Sequence, residues 1–224
     1  MTTRHEARHS LLHALRSSGS YATALEADRL ESLYHAQEMA GLSHDSYDAA
    51  KNVGAPDVGW ARVSANPGLL RELLPDLDLE DVEIQELLHP KDSGMRAEIY
   101  IPDSAVLGPG FKPTLVFKGS RGEVIENGAL RDTSLEDFLG NNLPQSMGKE
   151  TRYYTGAMEL AFTLERAGLD FDITGHSLGA GMASAASAVT GMRAVTFNAA
   201  GLHPDTAPNF LKDKPGAQLF DTSE

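Results

Sequence analysis

The chain has no cysteine. A disulfide framework, a thiolate metal site and a cysteine nucleophile are therefore all excluded. Positive charge is scarce as well: 19 Lys and Arg stand against 32 Asp and Glu, a formal net charge of −13 in 224 residues. A surface that acidic repels a phosphate backbone, so no nucleic-acid partner is expected. Long hydrophobic runs are missing too. The nearest one, residues 178–201, is rich in Ala and Gly, holds Arg193 and is cut by Gly191, so it does not read as a membrane span. The chain starts with charges at Arg4, Glu6 and Arg8, and the stretch Ser10–Leu15 is too short and too polar for a secretory signal. The expected location is cytoplasmic, or outside the cell by a route that uses no signal peptide. Tryptophan occurs once, at Trp60, and reads as a packing anchor.

What is present is ordinary for a folded protein: 41% hydrophobic and 23% charged residues. Two regions differ in pattern. Residues 1–93 read as a helical, acidic N-terminal region. Within it, Ala22–Ala40 carries Leu30, Leu33 and Tyr34 at helical spacing, with Gly41 where a C-terminal cap belongs. Pro67–Leu74 and Asp76–Leu88 read as shorter helices before Pro75 and Pro90. Residues 94–224 read as an α/β core. Met95, Ala97, Ile99 and Ile101 alternate with polar residues, which predicts a half-buried strand near a sheet edge. Thr114–Phe117 is a continuous apolar run and predicts a central strand. Further strands are expected at Leu169–Thr174, Met192–Phe197 and Ala217–Phe220. Helices are expected over a face made of Ala157, Leu160, Ala161 and Leu164, and over Leu178–Val189. Strand–helix–strand alternation predicts a mostly parallel sheet flanked by helices.

The segment Gly175-His176-Ser177-Leu178-Gly179 matches G-x-S-x-G. It follows an expected strand and opens an expected helix, the context a nucleophile elbow requires. The glycines let strand and helix approach closely around a serine with strained backbone angles. The serine oxygen then projects at a helix N-terminus, where free N–H groups favour a developing oxyanion. Ser177 is the candidate nucleophile, and the Leu178 N–H is one candidate oxyanion donor. A loop at the end of the neighbouring strand, at Ser120, is the place for a second donor.

Four segments carry a family resemblance. Phe117-Lys118-Gly119-Ser120 and Thr133–Asn142 resemble the F-R-G-[ST] and D-W-x-x-N segments of the class 3 lipases. The elbow and Ala194–Gly201 resemble the same family's next elements in order. The resemblance spans residues 113–202. It implies an α/β-hydrolase fold and lipase or phospholipase A1 activity, with Ser177 as nucleophile and Ser120 and Leu178 in the oxyanion hole. The chain is also similar to bacterial lipase-like effectors that join such a core to a helical front. Two positions depart from the pattern. Lys118 replaces an arginine, whose planar fork a lysine cannot copy. Asn198 stands where glycine is usual, which implies a loop of different shape.

The family order after the nucleophile is acid, then histidine. Of eight histidines, His203 is the only one past Ser177, and no Asp or Glu lies between them. Three explanations stay open: an acid and histidine beyond Glu224, so that the hydrolase core is incomplete here; a rearranged set using His203 with Asp205, Asp213 or Asp221; or an elbow kept as scaffold. His5, His9 and His13 sit four apart on one helical face and read as solvated rather than as a metal site. His176 reads as a packed, hydrogen-bonded structural histidine.

The expectation from these residues is a serine carboxylic-ester hydrolase that acts on lipids and needs no metal or organic cofactor. Its partners are a lipid or phospholipid substrate and a transient membrane-interface contact. A thioesterase or acyltransferase on the same elbow, and a non-catalytic binding module, are the alternatives. Residues 122–147 carry Leu130, Leu135, Phe138, Leu139, Leu143 and Met147. That stretch reads equally as a lid over an acyl pocket and as a long surface loop.

Overall fold

Short runs of apolar and β-branched residues set between helices form one five-stranded sheet in a computed structural model, which describes residues 3–91, 93–120, 123–126, 128–134, 136–146 and 151–221. The chain begins with helices α1 (Arg4–Ser17) and α2 (Tyr21–Ala49), strand β1 (Trp60–Arg62), and helices α3 (Gly68–Leu73) and α4 (Asp81–Leu88). Strand β2 (Ala97–Pro102), the short α5 (Ser104–Leu107) and β3 (Thr114–Phe117) follow. A hairpin of β4 (Glu123–Glu126) and β5 (Ala129–Asp132) leads to a π-helix, Glu136–Asn142, and to α6 (Leu143–Ser146). The chain then alternates through α7 (Arg152–Arg166), β6 (Asp172–His176), α8 (Leu178–Thr190), β7 (Ala194–Phe197) and α9 (Thr206–Leu211).

The strand order is β1-β2-β3-β6-β7. The β3–β6 and β6–β7 pairings are parallel, and β1–β2 and β2–β3 are antiparallel. The sheet is therefore mixed, not mostly parallel as the alternation of elements predicted. Connection type decides it. Helices α7 and α8 carry the chain back across the sheet before β6 and β7, as parallel pairing needs, whereas β2 and β3 are joined by one turn of helix and a loop.

Helices α7 and α8 cover one face of this sheet. Met158, Ala161, Met182 and Ala186 there join Ile99, Leu115, Phe117 and Ile173 in the larger core. Helix α2 covers the other face, where Met39 and Leu42 meet Trp60, Tyr100 and Val116. Trp60 is an anchor as expected: it is buried and its Nε1–H donates to Glu38 Oε2 at 3.2 Å.

Helix α2 differs most from its sequence reading. It runs through Gly41 to Ala49, and its buried residues are His35, Glu38, Met39, Leu42, Ser43, Asp45, Ser46 and Ala49, with Ala27 before them. Leu33, on the expected apolar stripe, is 53% exposed. Glycine costs a helix only about 1 kcal/mol relative to alanine, so packing on both sides of Gly41 overrides it. The buried polar groups have partners. Asp45 takes a two-pronged bond from Arg62 at 2.7 and 2.9 Å and a third bond from the Tyr100 hydroxyl at 2.6 Å.

Three further readings change. Strand β2 is near the sheet edge, next to β1, but it is buried on both faces rather than half-buried, because its polar residues are bonded. Glu98, for example, accepts from the Ser64 N–H and hydroxyl, while burial raises its carboxyl above the ordinary value. Residues 217–220 form no strand, although Phe220 N–H donates to Ala188 O at 2.9 Å. The α1 histidines are not one solvated face: His5 is buried, and His9 Nε2 lies 3.2 Å from Leu107 O.

Candidate active site

One face of β6 is polar at every second residue: Asp172, Thr174 and His176. Such alternation usually marks a solvent-facing strand. Here that face lies under α2, and each residue has a partner on the helix. His35 Nε2 lies 2.8 Å from Asp172, Ser43 Oγ 3.0 Å from Thr174 Oγ1, and Tyr47 Oη 3.2 Å from His176 Nδ1. Helix α2 is thereby registered along the strand that ends in Ser177. His176 is the hydrogen-bonded histidine the sequence indicated.

Ser177 is the residue between β6 and α8, with φ +57° and ψ −122°. A non-glycine residue held there costs of order 1–3 kcal/mol and persists only where its surroundings enforce it. Those surroundings are backbone. Ser177 N–H donates to Phe197 O at 3.0 Å, while Ser177 O accepts from Ala180, Gly181 and Ala200. The turn is tight because both flanks lack a side chain. A Cβ on Gly175 would lie 2.5 Å from the Gly179 carbonyl, and one on Gly179 would collide with the Phe117 carbonyl oxygen of β3. Leu178 is the first residue of α8, so its N–H has no acceptor within the helix.

Ser120 stands just past the end of β3. It shares a cavity of about 400 Å³ with Ser177, His176, Phe197, Ala40, Ser43, His44 and Tyr47. The cavity therefore opens at the carboxyl ends of the adjacent parallel strands β3 and β6, the usual ligand position in such sheets. Its far wall is α2, through residues at spacings of three, four and seven from Ala40. Sequence reasoning placed no site residue in the N-terminal helices, yet His44 and Tyr47 line this cavity. Small or polar residues at helical spacing, Ala40-Ser43-His44-Tyr47, were the available signal.

Both departures from the lipase pattern have a structural account. Asn198 has φ +48°, so it takes the left-handed conformation that glycine supplies elsewhere, one that asparagine tolerates better than most residues. Lys118 is 5% exposed and donates to Gly119 O at 3.1 Å. Burial lowers its ammonium to about 8; the Asp137 carboxylate opposes that shift, and Arg96 and Lys51 add to it. Asp137 belongs to the Thr133–Asn142 segment and is itself buried, accepting from the Thr133 hydroxyl at 3.0 Å. In the unfolded chain the amine keeps its proton to about pH 10.4. Between about pH 8 and pH 10 the unfolded state thus binds more protons, and the Lys118 contribution to stability rises with pH. The unfolding free energy of Lys118→Met minus that of the parent is expected to fall by about 2 kcal/mol from pH 7.5 to pH 10, at up to ~1.4 kcal/mol per pH unit. Denaturant titrations at both pH values measure it, and a constant difference would refute the buried cation.

The other sequence candidates lie elsewhere. His203 Nδ1 is 3.8 Å from Asp205, and His203 and Asp221 line a groove with Leu202 and Phe220, separate from the Ser177 cavity. Asp213 lines a third cleft beside Lys214 and Phe210. Among the described residues, no group of three or more His, Asp or Glu is placed to hold a metal ion. Of the 122–147 stretch, Gly122, Leu135 and Met147 lie outside the described residues, as do the side chains of Phe138, Leu139 and Leu143. Leu130 is exposed, and no described residue of the stretch lines the Ser177 cavity.

The chain belongs to the Tle-like phospholipase domain family, a phospholipase-like family whose model matches residues 38–221. It is also 34% identical over 135 residues to an extracellular phospholipase A1 of Serratia liquefaciens. That alignment covers 60% of this chain and 36% of the relative, so the chain spans about a third of that protein's length. These matches agree with the lipase and phospholipase A1 resemblance of residues 113–202. The family match begins in α2, just before the helical wall of the cavity.

Proposed function

We propose that this protein is a serine carboxylic-ester hydrolase with an α/β-hydrolase core, and that it cleaves acyl esters of phospholipids. Membership of a phospholipase family supports the lipid substrate. The observation that carries the chemistry is the strained Ser177, held at the start of α8 and facing a cavity shared with Ser120. In this reading Ser177 Oγ attacks the ester carbonyl and gives its proton to an imidazole. The Leu178 and Ser120 N–H groups hold the tetrahedral oxyanion. The alcohol leaves, and water clears the acyl-serine. His44 is exposed and lines the cavity, which supports it as an imidazole open to a bound substrate.

No helix among the described residues is long and apolar enough to cross a membrane. The protein in this reading works at the lipid surface by transient contact. With a net charge of −13 it gains no electrostatic attraction to anionic lipid, so binding rests on apolar contact and varies little with salt. The test pairs vesicles with soluble esters. Phosphatidylcholine vesicles should release fatty acid, a fluorophosphonate probe should attach at Ser177, and a series of nitrophenyl esters should favour longer chains. Each buried methylene is worth about 0.8 kcal/mol, so preference should climb over several carbons. Flat chain-length dependence, no fatty acid from vesicles and rapid cleavage of an acyl thioester would replace this reading with a thioesterase. No turnover of any ester and no probe attachment would leave a binding module.

A further inference from the structure

We propose that Tyr47 sets the geometry of the oxyanion hole, by pinning the loop at residues 118–120 against the Ser177 elbow. The proposal rests on the reading of Ser177 as nucleophile. An oxyanion needs both donors within about 2.7–3.1 Å of a single point. Strands β3 and β6 pair in register only as far as Phe117 and Gly175. Past that point one backbone enters the loop and the other enters the elbow, so the sheet itself does not fix the spacing of the Ser120 and Leu178 N–H groups.

One side chain from outside the sheet reaches both segments. The Tyr47 hydroxyl lies 3.2 Å from His176 Nδ1, and the two rings meet edge to face with centroids 6.5 Å apart. The same hydroxyl sits over Gly119. A Cβ there would collide both with it and with the His176 carbonyl oxygen. Lys118 Nζ lies 5.7 Å from the centre of the Tyr47 ring. Tyr47 thus bears on Lys118, Gly119 and His176, which lead into the two proposed donors. Tyr47 lies one turn beyond Ser43, which bonds Thr174 of β6 at 3.0 Å, whereas the His35–Asp172 pair ties α2 to the opposite end of that strand. Gly119 is the thin point of the arrangement: loop, hydroxyl and elbow carbonyl stack there with no room for a side chain.

Tyr47 is therefore a positioning residue, and its removal should affect the transition state more than the bound substrate. Tyr47→Phe keeps the ring and deletes the hydroxyl. We expect kcat to fall about 10- to 100-fold, with KM within about threefold, because a misplacement near 1 Å costs up to about 10²-fold. An alkyl trifluoromethyl ketone forms a tetrahedral adduct whose oxyanion occupies the hole. Its affinity should fall by the same factor as kcat/KM, while affinity for the fatty acid product stays unchanged. The control is His35→Gln, which loosens the same helix at the opposite end of β6. It should lower the melting temperature and leave kcat within about twofold.

A Tyr47→Phe variant with parental kcat and ketone affinity would overturn the proposal. So would a loss of turnover that tracks melting temperature equally in both variants, since that is a general loosening of α2. The reading of Ser177 fails separately. A parent with no turnover, or a Ser177→Ala variant that keeps it, overturns both. An active parent, an inactive Ser177→Ala and an unaffected Tyr47→Phe overturn the role of Tyr47 alone.

Discussion

Ser177→Ala is expected to lower ester hydrolysis by about 10³-fold or more while leaving the fold intact. The magnitude is the scale on which removal of an activated serine acts, with the remainder supplied by oxyanion stabilisation and binding. Stability should hardly change. Alanine keeps the Cβ that makes φ +57° costly, and Ser177 makes no side-chain cap bond to α8 that would be lost. A second substitution separates strain from chemistry. Ser177→Gly removes the Cβ as well, so it should be equally inactive yet more stable than the alanine variant by about 1 kcal/mol, part of the strain stored at the turn. Steady-state hydrolysis of a soluble ester and denaturant melts of all three proteins supply the measurements. Parental turnover in the alanine variant would mean that another residue is the nucleophile.

Gly179→Ala is expected to be as damaging, for a steric reason. In a solvent-exposed helix this change stabilises by about 1 kcal/mol. At this position the new Cβ would overlap the Phe117 carbonyl oxygen and lie 2.8 Å from the Phe117 carbonyl carbon and 3.0 Å from that of Lys118. These are backbone atoms of β3 and of the residue after it, with no rotamer to change. Helix α8 would have to lift off β3 and carry the Leu178 N–H away from the loop at Ser120. Overpacking of a buried contact costs about 1–3 kcal/mol or more. We expect a loss of at least about 3 kcal/mol together with activity near that of Ser177→Ala. Gly201→Ala is the control, because a Cβ there meets nothing within 4 Å. Its unfolding midpoint should match the parent's. A Gly179→Ala protein as stable as the parent would show that strand and helix are not in close contact.

Elements that announce themselves by local pattern were legible in the sequence. The continuous apolar run 114–117 became the central strand, and the G-x-S-x-G segment lies between strand and helix. Other readings failed where local pattern and burial part company. The Leu30–Leu33–Tyr34 stripe did not mark the fully buried face of α2: Leu33 is exposed, Leu30 and Tyr34 are half-buried, and the face that packs on the sheet is largely polar. Polar residues on β2 suggested a half-buried strand, because nothing local shows that Ser64 waits for Glu98 or Asp45 for Tyr100.

The sequence by itself determined the tight turn around Ser177, since only glycine on both flanks allows that approach, and the order of strand, elbow and small-residue helix that builds it. It also determined the absence of thiol chemistry and the strongly acidic surface. The tertiary structure alone decided what faces the serine. The pairs His35–Asp172, Ser43–Thr174 and Tyr47–His176 join residues 137, 131 and 129 positions apart. A buried polar side chain is stable only once its partner is in place. Each of these partners is supplied by a strand far along the chain, so the spacing of Ala40, Ser43, His44 and Tyr47 marks a face of α2 without saying what it meets, and only the fold brings Tyr47 to the mouth of the cavity.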